Sequence, residues 1–360
     1  MKSTNWERYY GSAVVIAALS LFSASCGIVK TKEKTAAVPA VTDASQADLM
    51  KEVDRFAKVD SMRAKMYLKF EDNSFAAFGS KEVYREAPGE VVVQRPAKIR
   101  LKVSVPVVGS DVAQMTSDGE TFRVAILQDG AGGKFKKFVK GTNNADYSKL
   151  QKTLSKEELE DAKNSGQKVN AFANLRPQHF TDALLVRPID QQANLYTQST
   201  IYEAEEDTTQ SSKSPTRMVM RGFYLLDEFA RLQDGGLMIK RRFWFDRVGA
   251  IRLARQQIFD KKGEIESDIV YGKQGNLTDT PDYANLPLEI LVTRPKERYA
   301  MRLTYQSPVE VTIGTKFPDT AFVLENSWGL EEVDLDKKLR EALQANPNAN
   351  TKIATNHDDK

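Results

Sequence analysis

The feature that most constrains this chain is a two-residue rhythm. Apolar side chains fall on every second position in one segment after another, and short Asp/Gly turns separate the segments. Met66, Leu68 and Phe70 alternate with Lys65, Tyr67, Lys69 and Glu71, and Ile99, Leu101, Val103 and Val105 alternate with Arg100, Lys102 and Ser104. Successive strand side chains point to opposite faces, so such a run buries one face and wets the other. Asp118-Gly119 separates Val112–Thr116 from Thr121–Leu127. Leu237–Phe245, Ala250–Phe259 and Glu264–Tyr271 are joined by Asp246–Gly249 and Asp260–Gly263, where Asp first and Gly fourth suit a tight turn. Leu288–Arg294, Tyr299–Gln306 and Val309–Ile313 continue the meander, and Ala87-Pro88-Gly89 reads as a turn between Lys81–Glu86 and Glu90–Arg95. Turns this short impose antiparallel pairing.

Helical spacing breaks the rhythm at few points. Leu49, Met50, Val53, Phe56 and Ala57 predict an amphipathic helix over Ala47–Val59. Tyr147–Asn164 reads as helical, with Ser155 and Glu158 as a capping box, and Leu175–Val186 as a shorter helix led in by Pro177. Thr208–Pro215 reads as a loop, and the polar, Asn-rich chain from Leu339 as a fraying tail. The fold class is therefore mainly β (α+β), one curved antiparallel sheet with an N-terminal helix and mid-chain helices covering one face.

The N-terminus carries a different signal. Lys2 and Arg8 precede an apolar stretch from Gly11 to Phe22, and Ser23, Ala24 and Ser25 lead to Cys26, the one cysteine of the 360-residue chain. A basic start, a short apolar core and a small-residue exit is the pattern of a secretory signal, and the run is shorter than the roughly 20 residues of a membrane-spanning helix. Ser-Ala-Ser-Cys-Gly resembles the lipobox of bacterial lipoproteins, with Ser23 where Leu is usual, so Cys26 is the expected lipidation site. That resemblance implies two or three acyl chains on Cys26 as a firm membrane anchor. Gly27, in place of the Asp that retains lipoproteins in the inner membrane, points to the outer membrane. Residues 27–46 are small, polar and aperiodic, a flexible tether. The expected organisation is a signal peptide at 1–25, a lipidated N-terminus and tether at 26–46, a sheet domain at 47–338 with a helical insertion at about 129–215, and a polar tail at 339–360.

Composition narrows the chemistry. A lone cysteine forms no intrachain disulfide and no Cys-based metal site, and His179 and His357 are the only histidines. The 52 Lys+Arg nearly balance 49 Asp+Glu, leaving a net charge of +3, too little by itself to imply nucleic acid. Lys134–Lys140 is the densest basic run and reads as a solvated strand and turn, or as a contact for anionic headgroups. Gly130–Lys134 lacks the spacing of a phosphate loop, no Gly-x-Ser-x-Gly motif occurs, and the acidic neighbours Glu157, Glu158, Glu160 and Asp161 suit a solvated helix face. No catalytic residue, metal or cofactor is expected.

The order of motifs resembles the LolA/LolB superfamily of periplasmic lipoprotein carriers and receptors. It runs from an N-terminal helix into a strand such as Arg63–Glu71, then Arg95-Pro96-Ala97-Lys98-Ile99-Arg100-Leu101 and Ser117-Asp118-Gly119. It continues with the paired Asp-x-x-Gly turns, Ile269-Val270-Tyr271, Thr293-Arg294-Pro295 and Phe322-Val323-Leu324. The resemblance spans about Ala47–Val333; the long middle insertion and the Gly/Lys-rich Asp129–Ala145 depart from it. It implies an incomplete β-barrel with helices as a lid over a cavity for acyl chains, on a protein facing the periplasm. The expected ligand-binding residues are Met66, Leu68, Phe70, Ile99, Leu101, Val103, Phe122, Val124, Ile126, Phe243, Phe245 and Ile251. Alternation fixes the buried face and leaves open whether a cavity remains. The two function classes are thus a non-covalent binder of lipid or lipoprotein acyl chains and an interaction lipoprotein of an envelope complex with a filled core; a hydrolase is the weaker third.

Overall fold

The computed structural model describes residues 39–72, 82–83, 86–104, 110–128, 136–145, 147, 150, 176–207, 210–214, 217–278, 283–307 and 310–345. The signal peptide, Cys26, the tether up to residue 38 and most of the helix expected at Tyr147–Asn164 lie outside them. The chain divides into two compact units, Met1–Pro39 with Ala204–Met220, and Ala40–Glu203 with Arg221–Lys360. In the first, Asp207 N donates to the Arg217 carbonyl at 2.7 Å and Arg217 pairs with Glu206 at 3.0 Å. All that follows concerns the second unit.

Its strands are β1 (Ser61–Asp72), β2 (Glu82–Val83), β3 (Ala87–Gln94), β4 (Lys98–Ser104), β5 (Asp111–Ser117), β6 (Thr121–Ile126), β7 (Lys137–Thr142), β8 (Asn194–Glu206), β9 (Met218–Arg231), β10 (Leu237–Asp246), β11 (Arg252–Phe259), β12 (Ile265–Gly275), β13 (Leu286–Arg294), β14 (Tyr299–Tyr305), β15 (Thr312–Ile313) and β16 (Glu332–Asp334). They form a sheet in the order β16-β7-β6-β5-β4-β3-β1-β14-β13-β12-β11-β10-β9-β8, with β2 and β15 pairing off this path onto β1. The described pairings are antiparallel except β16 on β7. Two meanders, β3 to β7 and β8 to β14, thus meet at β1, where Met66 lies opposite Tyr305 and Asp72 opposite Tyr299. The curved sheet does not close into a barrel.

The local chemistry explains the pairing. Asp260 accepts from the backbone N–H groups of Lys262 and Glu264, and Gly263 takes φ +77°, a left-handed conformation that costs other residues energy. Asp118 does the same for Glu120 and Thr121 at the β5–β6 turn. Along β4, Ile99, Leu101 and Val103 are buried while Arg100 and Lys102 reach outward. On the outer face, cross-strand ion pairs join Arg242 to Asp227, Arg255 to Asp268 and Arg302 to Glu289.

Several expectations change. Pro88 and Gly89 lie inside β3, opposite Tyr67 and Met66, rather than in a turn. The reason is proximity: a Cβ on Gly89 would lie 2.6 Å from the Lys102 carbonyl oxygen and 2.6 Å from Leu68 Cδ1, so glycine lets the strands close up. The insertion at 129–215 contributes the strands β7 and β8, not helices alone. The chain expected to fray from Leu339 is helical through Ala345, as part of α3 (Leu335–Ala345), whose Leu335 and Leu339 pack against the core.

Candidate functional site

The inner face of the sheet is apolar and is covered by two short helices, α1 (Gln46–Ala57) and α2 (Pro177–Leu184). Ser45 starts α1: its hydroxyl accepts from the Asp48 N–H, and the Asp48 carboxylate accepts from the Ser45 N–H. Leu49, Val53 and Phe56 turn inward at helical spacing, and Phe56 stacks on Tyr271 of β12 with ring centroids 5.4 Å apart. Pro177 supplies the first residue of α2, a position whose N–H would lack a helical partner in any case. Phe180, Ala183 and Leu184 then bury themselves against the sheet, and the Tyr271 hydroxyl donates to the Ala183 carbonyl at 3.4 Å.

One side chain holds both helices. Arg95, in the turn between β3 and β4, donates from Nη2 to the Ala57 carbonyl at 2.9 Å and to the Val186 carbonyl at 2.7 Å. Ala57 ends α1 and Val186 lies two residues past α2. The last carbonyls of a helix have no partner within it, and a cation there also meets the favourable end of the helix dipole. Burial lowers the pKa of Arg95; Asp60 opposes the shift at 3.5 Å and nearby Arg187 adds to it. Further along, Arg241 donates to the Arg187 and Pro188 carbonyls, at 2.8 and 3.2 Å, and pairs inside the protein with Glu228. Asn194 Nδ2 donates to the same carboxylate at 2.7 Å.

The expected ligand-binding residues come together. Met66, Phe70, Ile99, Leu101, Val103, Phe122, Val124, Ile126, Phe243 and Phe245 are buried in one cluster with Leu49, Val53 and Phe56, while Leu68 and Ile251 pack on it half-buried. What remains empty beneath the helices is a cavity of about 20 Å³. It is lined by Phe56, Val59, Met62, Ala183, Leu184 and Val186, and by Tyr271, Leu277, Leu286, Pro287, Ile290 and Tyr305 of the β12–β14 region. None of the twelve expected residues borders it. Met62 carried a usable signal, because it continues the alternation of Met66 and Phe70 two steps toward the N-terminus; Val59 and Leu277 sit outside any strand and carried none.

One polar group is embedded in the apolar layer. His179 of α2 is 1% exposed and its Nδ1 meets the Tyr299 hydroxyl, while its Nε2 has no hydrogen-bond partner among the described residues. Burial, then the charges of Arg294 and Arg176, push its pKa well below the ordinary value, so the ring is neutral. Arg294 is itself engaged by Ser267 at 2.5 Å and Glu297 at 2.7 Å. At the far end of the sheet, Tyr147 accepts from Thr142 N–H at 2.8 Å and donates to Asp336 of α3, and burial followed by that carboxylate pushes its pKa up to about 12. The described part of the basic run reaches acidic partners on β16 and just before it: Lys137 to Glu331 at 3.8 Å and Lys140 to Glu332 at 3.4 Å.

No protein-family model matches the sequence, and no curated protein matches it. Among solved structures, it is similar to a LolA superfamily protein from Nitrosomonas europaea, at 10% identity and a TM-score of 0.39, covering 78% of this chain and 99% of that one. A DUF1329 family protein from Desulfovibrio piger aligns at 12% identity and a TM-score of 0.37 over 80% of this chain and 99% of its own. A domain from Vibrio parahaemolyticus, provisionally assigned as outer membrane lipoprotein-sorting, aligns at 11% identity and a TM-score of 0.34 over 77% and 97%. The architecture seen in this chain itself, an open antiparallel sheet with helices across one face, is what its motif resemblance to the LolA/LolB superfamily implied.

Proposed function

We propose that this chain is an outer-membrane lipoprotein, anchored through Cys26 and facing the periplasm, whose helix-covered apolar face takes up acyl chains of a lipid or a lipoprotein. The observation that carries the proposal is the Arg95 clamp, one guanidinium holding the ends of both covering helices. Helices of 12 and 8 residues are marginal alone, and their stability comes from what they cover. Releasing one clamp would therefore free both from a continuous apolar surface. Binding would be non-covalent, with roughly 0.8 kcal/mol gained per methylene taken from water. In this reading the structure is the closed, empty form.

A second reading has its own observation. A cavity of about 20 Å³ holds about one water and no alkyl chain. If the helices never leave, the protein is an interaction lipoprotein with a filled core. The deciding experiment is mass spectrometry of organic extracts from the exported Cys26→Ser chain, purified without detergent, alongside uptake of an apolar dye. A stoichiometric acyl species displaced by competing lipid supports the first reading. A folded, lipid-free protein that ignores the dye refutes it and leaves the second.

A further inference from the structure

A second concavity lies outside the covered core. It is an open cleft of about 1160 Å³, bordered by the β3–β4 turn at Arg95-Pro96, the loop after α2 at Arg187-Pro188, β10 and the β11–β12 turn. Its wall has an apolar part, Met238, Ile258 and Phe259, beside a cationic part, Lys240, Lys261 and Lys262. The carboxylates along the cleft are engaged elsewhere. Glu228 holds Arg241, Asp260 holds Lys296, Glu266 pairs with Arg294 at 3.3 Å, and Asp190 accepts from the Gln192 and Ala193 N–H groups. No carboxylate among the described residues pairs with Lys240, Lys261 or Lys262.

Two breaks in the sheet build this wall. Ile239 lies opposite Phe229 and Arg241 opposite Glu228, so Lys240 is an extra residue in β10. Ile258 lies opposite Ser267 and Phe259 opposite Ile265, so Glu266 is extra in β12. Both extra residues line the cleft. A bulge re-aims side chains, and these bring the neighbours Lys240 and Arg241, and Ile258 and Phe259, to one wall.

We infer that this cleft binds a phosphate-bearing amphiphile, its anionic head among Lys240, Lys261 and Lys262 and its alkyl chain along Met238, Ile258 and Phe259. Unpaired ammonium groups on flexible stems attract phosphate as point charges without demanding one geometry. A surface of cations alone would suit a free anion; the adjoining apolar strip selects one that carries a chain. The site is separate from the covered face and does not depend on the acyl-pocket reading.

The test uses the exported full-length chain carrying Cys26→Ser, titrated by calorimetry with octyl phosphate, inorganic phosphate and octyl glucoside below micellar concentrations. Octyl phosphate is expected to bind, with the other two at least about ten-fold weaker, and to weaken as salt rises from about 50 to about 500 mM. Lys240→Ala/Lys261→Ala/Lys262→Ala is expected to lose about ten-fold in affinity, and the triple Lys→Arg variant to keep it. Octyl glucoside binding as tightly as octyl phosphate, or a triple alanine variant that binds like the parent, overturns the inference. Inorganic phosphate matching octyl phosphate also overturns it, in favour of a free-anion site. Dye uptake by the covered face reads the other proposal: its absence while lysine-dependent octyl phosphate binding persists sinks the acyl pocket alone.

Discussion

Replacing Arg95 with Met is the most direct test of how the helices are held. Methionine keeps much of the stem's packing and removes the guanidinium. The two hydrogen bonds it makes, at 2.9 and 2.7 Å, come from a charged donor whose side chain is 21% exposed. Such bonds are worth about 1.5–3 kcal/mol each when one partner is ionised. Desolvation of the cation, visible as its lowered pKa, opposes them, and the Asp60 carboxylate is 79% exposed and adds little. A net loss of about 2 kcal/mol is left, which at 1.4 kcal/mol per factor of ten raises the open population about 30-fold. The loss is local, because β10 to β14 make no contact with the guanidinium through these bonds. Hydrogen exchange followed by mass spectrometry should show amides of α1 and α2 exchanging about 30-fold faster while those of β12 and β13 hold their rates. Arg95→Lys, which keeps the charge without the fork, should fall between. Unchanged helix exchange, or a uniform rise across the sheet, would refute the clamp.

Three further outcomes follow from the structure. His179 has a folded pKa below its unfolded value of about 6.5, so the unfolded chain binds the extra proton and stability falls as pH drops below about 6.5, by up to 1.4 kcal/mol per pH unit. Melting scans from pH 7 to 5 should show this slope, and His179→Gln should flatten it; the depressed carboxylates Asp118 and Asp336 act only below that window. Gly89→Ala should cost about 2 kcal/mol in urea unfolding, because the new Cβ meets the Lys102 carbonyl at 2.6 Å; an unchanged midpoint would mean β3 shifts freely. Cys26→Ser should move the protein from the membrane fraction to the soluble one, and a parent protein with an unmodified Cys26 by peptide mass would end the anchoring proposal.

Much of this fold is readable in the sequence because local chemistry decides it. The β10–β11–β12 meander follows from Asp246, Gly249, Asp260 and Gly263, and α2 from Pro177 ahead of an apolar turn. β8 escaped because it ends the sheet: the polar run from Asn194 to Glu206 has little apolar alternation to show. α3 escaped because only Leu335 and Leu339 pack inward from an otherwise polar segment. The inward face of the candidate site was legible strand by strand, from Met66 to Phe245. Its closure was not, since Arg95 finds its partners 38 and 91 positions away and no periodicity encodes that meeting.

The join at β1 has a consequence for how the molecule comes into being. The strand that opens the sheet needs the strand that nearly ends it: Gln306 bonds back to Met66 across 240 positions. A chain emerging N-terminus first can make each meander from near neighbours, but β1 waits with one flank bare until the C-terminal third arrives. Closing so long a loop is slow, and a bare flank is a template for the wrong partner. A copy cut short before Tyr299 would keep every turn of its first meander and still present that flank permanently, which makes the truncated chain, rather than the whole one, the aggregating species.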